Sequence, residues 1–123
     1  MRTLFLILLG AVLWFVAAAF IRLTLPFGLF SGGPVTLALF AITALMSPVL
    51  VSGVHRITSG GPAPRLPTAA ILCTVGVLLD ALAMVWSPEL YAANPARLVG
   101  GAAWLLFGVG AILTSAMLQD RPR

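Results

Sequence analysis

The chain has 123 residues, 61% of them hydrophobic and only 8% charged, with a mean hydropathy of +1.13. Soluble domains are about 45–50% apolar and about 25% charged, so a water-soluble fold has nowhere to put this surface and the composition is that of a membrane protein. The net charge of +4 comes from seven arginines and no lysine; they stand singly between apolar runs and form no stripe that follows phosphates, which excludes a nucleic-acid binder.

The first apolar run goes from Thr3 to Leu25 behind Arg2. Its basic start and Ala17-Ala18-Ala19 imitate a signal peptide with a cleavage site. The apolar run continues through Phe20 and Ile21, however, so it reads as a retained span. A Pro/Gly-rich turn, Pro26 to Gly33, follows, and Pro34 suits the first turn of a helix, where its missing N–H costs nothing. The second span is predicted to run to Val54 and to end at His55-Arg56. Pro48 removes a backbone hydrogen bond within it and is expected to kink it, a defect that neighbouring helices accommodate.

Thr58 to Arg65 is the clearest loop. Pro67 then opens a third span that reaches Trp86 and stops at Ser87-Pro88-Glu89. Asn94-Pro95 is an N-cap followed by proline at the first helical position, and the fourth span runs from there to Leu118, ahead of a polar tail. About 20 residues cross a 30 Å hydrocarbon core. The sequence therefore predicts an all-α, integral membrane four-helix bundle, a single domain over 1–123 with spans at about 3–25, 34–54, 67–86 and 95–118. No internal repeat links its halves, which removes support for an inverted-repeat transporter.

Arginine bias sets the expected orientation. Arg2, Arg56, Arg65, Arg121 and Arg123 flank one side and only Arg22 and Arg97 the other, so both termini are expected in the cytoplasm. Trp86 and Tyr91 then fall near the outer interface, where amphipathic rings are favoured.

Asp80 is the residue most in need of a reason. It lies about 9 Å inside the outer end of the third span at helical rise, and a carboxylate at such depth costs about 2.5–3.5 kcal/mol on insertion scales. Its helical neighbours Cys73, Gly76, Val77, Ala83 and Met84 make a mostly small face that lets another helix approach. The first span carries Gly10, Trp14, Ala18 and Arg22 at intervals of four. That face is expected to pack against the Asp80 face, with Arg22 reaching the carboxylate as an intramembrane polar pair. Either a register-fixing ion pair or a proton- or ion-linked carboxylate in a transport path fits this pattern, as does another partner for Asp80. In the fourth span Trp104, Gly108, Ala111 and Ser115 share a face. They form a packing surface, or a groove for a lipid or quinone-like ligand, together with Gly10 and Trp14 on the first span. Thr36, Thr43 and Ser47 form a mild polar stripe whose hydroxyls are expected to bond within their own helix or to a neighbour.

Cys73 is a lone thiol in an apolar run and reads as a packing residue. His55, the single histidine, reads as interfacial, and Glu89 and Asp120 as solvated loop and tail residues. No metal cage, cofactor site, nucleophile elbow, Walker loop, HExxH or CxxC occurs, and the expectation is a non-enzymatic protein. The glutamate that a small multidrug exporter carries early in its first span is absent.

Gly10 with Trp14, Phe20-x-Arg22, Leu78-Leu79-Asp80-Ala81 and Gly101-Ala102-Ala103-Trp104-Leu105-Leu106 resemble the pattern of a family of small four-span bacterial membrane proteins catalogued as domain of unknown function 5367. The resemblance covers most of the chain outside 57–67, and it implies a four-span fold in a bacterial inner membrane. The leading functional expectation is an accessory or structural subunit of a larger membrane complex, or a homo-oligomer, surrounded by membrane lipids. A small ion- or proton-coupled transporter using Asp80 is the runner-up, and a binder of lipid or quinone-like ligands the third.

Overall fold

A computed structural model describes residues 2–58, 62–92 and 98–121. Four α-helices account for most of it: α1 (Arg2–Thr24), α2 (Pro34–Thr58), α3 (Leu66–Trp86) and α4 (Leu98–Gln119). Short 3₁₀ turns, Leu25–Phe27 and Pro88–Leu90, follow α1 and α3. Each helix is long and apolar enough to cross a membrane. The proposed start of the fourth span at Asn94-Pro95, and Arg97 with it, lie outside the described residues.

Local chemistry explains most boundaries. Gly28 and Gly32 take φ values of +76° and +91°, left-handed backbone that other residues adopt at a cost. The Thr36 hydroxyl accepts from the Gly32 N–H at 2.9 Å and donates to the Leu29 carbonyl at 2.8 Å, fastening the turn to the first turn of α2. The second helix runs four residues past Val54, because His55 and Arg56 are compatible with a helix and the glycines lie further on. At its end the Thr58 hydroxyl donates to the Val54 carbonyl at 2.8 Å.

Pro48 lies inside a continuous α2. The Ser47 hydroxyl donates to the Thr43 carbonyl at 2.8 Å, and from α4 the Gln119 amide donates to the Pro48 carbonyl at 3.1 Å. α4 thus makes a polar contact to α2 at the proline itself.

The main pairings are α1 with α3 and α2 with α4, joined by a narrower α3–α4 seam. Leu6 clusters with Leu72, and Ala18 and Ile21 with Ala83, so α1 and α3 run in the same direction. Thr43 meets Trp104 and Ser52 meets Gln119, so α2 and α4 do likewise. The end where α1 begins and α4 finishes is here the near end; the opposite one is the far end. Glycines set the close approaches. A Cβ added at Gly10 would lie 3.1 Å from Val75 Cβ, one at Gly101 would lie 2.8 Å from Ile21 Cγ2, and one at Gly100 would collide with the Phe30 carbonyl. Only 11–28% of the residues in the four apolar windows are buried, so the bundle presents a mostly apolar exterior.

Candidate functional site

At the far end three side chains from three segments form a hydrogen-bonded line. Trp14 Nε1 on α1 donates to the Tyr91 hydroxyl at 2.9 Å, and that hydroxyl donates to Asp80 Oδ1 on α3 at 2.5 Å. Tyr91 is fully buried. The 3₁₀ turn at Pro88–Leu90 brings it there: after Trp86 the chain folds back, with the Tyr91 and Ala92 N–H groups both bonded to the Pro88 carbonyl. Arg22, exposed at the end of α1, donates from its guanidinium to the Glu89 carbonyl. The turn is therefore held twice, by its tyrosine inside and by its backbone outside.

Among the described residues no ion pair joins Arg22 to Asp80, the contact that their spacing suggests. The face containing Gly10, Trp14, Ala18 and Arg22 does turn toward α3, but each polar residue on it has a different partner. Tyr91 stands between Trp14 and the carboxylate, and Arg22 stops at the Glu89 carbonyl. Tyr91 is also not an outward-facing interface ring; Trp86, largely exposed like Phe27 at the same end, does face out. The residue that sequence reasoning missed is thus Tyr91. The available signal was a Ser-Pro turn able to return the chain toward an acid one and a half helical turns inside the span.

Trp104 lies in a second polar contact. Its Nε1 donates to Thr43 Oγ1 at 2.8 Å, and that hydroxyl donates to the Leu39 carbonyl at 2.8 Å. Phe20 and Phe30 pack on the indole with ring centroids 5.2 and 5.9 Å away. A Cβ at Gly108 would meet Thr43 Cγ2 at 3.9 Å. Neighbouring helices pack against part of the surface read as a possible groove, where Trp14, Trp104, Gly108 and Ala111 stay half-buried, and Gly10 lies against Leu72 and Val75 of α3.

The near end holds a third cluster. Asp120, just past α4, accepts from the Arg65 N–H at 2.8 and 3.0 Å and from the Leu66 N–H at 2.8 Å. It therefore caps α3 from another helix and is not a merely solvated tail residue. The Arg65 N–H holds its carboxyl below the usual carboxylate range; desolvation opposes this, and the Leu66 N–H and the charges of Arg65 and His55 add to it. His55 faces inward, 2% exposed and with a partner of its own, since α2 continues as a helix and carries position 55 onto the side of Val51 and Val54. Cys73 is buried, with Sγ 4.0 Å from the Val109 carbonyl.

Chemically, the arrangement is one of satisfied contacts between helices. Among the described residues the buried side-chain polar atom left without a partner is Arg65 Nε, and no three His, Cys, Asp or Glu side chains come together as metal donors. No family model, curated protein or solved structure matches the chain.

Proposed function

We propose that this chain is a small non-enzymatic integral protein of a bacterial inner membrane, with both termini cytoplasmic, that serves as an accessory or structural subunit packed against a larger membrane complex. The observation that carries the reading is the Trp14–Tyr91–Asp80 line. An acid within a span is ordinarily a pointer to function, but this one is engaged in tying α3 to its own following turn and to α1. Membership of the family suggested by the Gly10/Trp14, Leu78–Ala81 and Gly101–Leu106 motifs belongs to the same proposal. The mostly apolar exterior is compatible with lipid or with helices of a partner.

Purification of the tagged chain in a mild detergent, followed by native mass spectrometry, tests it. A subunit brings a partner at fixed stoichiometry, and Asp80→Asn keeps that partner because Asn still accepts from Tyr91. Recovery of the chain alone, together with a proton-coupled flux in vesicles that Asp80→Asn abolishes, would replace this reading with the carrier.

A further inference from the structure

Near the end of α2 an open groove of about 390 Å³ is lined by Pro48, Val49, Ser52, Gly53 and Arg56, positions that share one helical face. We propose that this groove is a binding site for an anionic phospholipid, its phosphate on Arg56 and an acyl chain lying toward Pro48. The floor is apolar where Pro48, Val49 and Gly53 are exposed. A Cβ built at Gly53 meets nothing within 4 Å, so the missing side chain leaves room. From Pro48 to Arg56 the groove extends about 12 Å at helical rise, running from the apolar interior to the last turn of α2.

Charge selects the headgroup. Arg56 is exposed and makes no hydrogen bond or ion pair to any described residue. Asp120, the acid at this end, has both oxygens on the Arg65 and Leu66 N–H groups and does not compete for it. Two of the lining residues are engaged from α4 by Gln119, which accepts from the Ser52 hydroxyl at 3.3 Å and donates to the Pro48 carbonyl. An arginine whose stem lies along apolar surface and whose head reaches the interface is suited to a lipid phosphate. The apolar helix of a protein partner would give Arg56 no counter-charge.

Native mass spectrometry of the chain in detergent micelles doped with dioleoyl phosphatidylglycerol or dioleoyl phosphatidylcholine tests the site. The wild type is expected to retain one phosphatidylglycerol in preference to phosphatidylcholine. Arg56→Gln should weaken phosphatidylglycerol about fivefold and leave phosphatidylcholine unchanged. Arg121→Gln removes the same charge at the same end and should change either lipid less than twofold. Gly53→Leu should lower retention of both lipids by filling the acyl seat, with Gly53→Ala giving a graded loss even though its melting in lipid-free detergent is no lower than that of the wild type. Inorganic phosphate at millimolar concentration should not displace the lipid. Equal losses from Arg56→Gln and Arg121→Gln, displacement by phosphate, or no effect of either Gly53 variant would overturn the proposal.

Discussion

The Tyr91 hydroxyl receives a hydrogen bond from Trp14 and gives one to Asp80, so removing it orphans both partners at once. Tyr91→Phe should cost about 1–3 kcal/mol in detergent-solubilised stability, and a double-mutant cycle with Asp80→Ala, which removes the acceptor, should show strong coupling. The cycle of Arg22→Ala with Asp80→Asn should lie much closer to additivity, since the two residues have separate partners. Burial, and then the bond to Asp80, push the Tyr91 phenol above its usual range. The folded chain then holds that proton more tightly than the unfolded one. This contribution is complete below pH about 10 and is lost as pH rises beyond it. Melting temperatures taken between about pH 9 and 11 should therefore fall more for wild type than for Tyr91→Phe. Asp80 was identifiable from its cost in a membrane, and Trp14 from its i+4 spacing. Tyr91 was not, because its burial depends on a chain reversal that no periodicity encodes.

The helices meet through backbone approach and through caps exchanged between them. Gly100→Ala places a methyl on the Phe30 carbonyl, so overpacking of about 1–3 kcal/mol should exceed the gain in helix propensity. Gly110 meets nothing within 4 Å, so Gly110→Ala should stabilise by about 0.5–1 kcal/mol; paired thermal melts would show opposite signs. The Asp120 cap makes a pH-dependent prediction. Its folded pKa is depressed, so its contribution is present above the unfolded value near 4 and disappears as pH falls through the folded one. Asp120→Ala should cost about 0.5–2 kcal/mol at neutral pH, toward the low end for a partly exposed group, and the difference from wild type should close below about pH 4. Helix positions were legible from apolar run length and from the prolines at their starts. The extension of α2 through His55, and Asp120 as a cap for α3, were not, because both depend on which helix lies alongside.

Across the whole molecule, α1 and α3 form one pair and α2 and α4 the other, so helices adjacent in sequence are not principal neighbours. With two same-direction pairs, the start of α1 and the end of α4 lie at one end. Fusion of a fluorescent protein to the C-terminus should give fluorescence, and fusion of alkaline phosphatase there no activity, if that end is cytoplasmic; the reverse result would invert the orientation. The sequence by itself determined that there would be four helices apolar enough for a membrane, and which few polar residues needed partners. Helix length and apolar composition are local quantities, and the cost of a buried acid follows from its depth alone. Only the tertiary structure decided who the partners are: Tyr91 for Asp80, the Glu89 carbonyl for Arg22, Thr43 for Trp104 and the start of α3 for Asp120. Hydrogen bonds act over about 3 Å, and distances that short are set by helix pairing and turn geometry, which the spacing of residues along one helix does not contain.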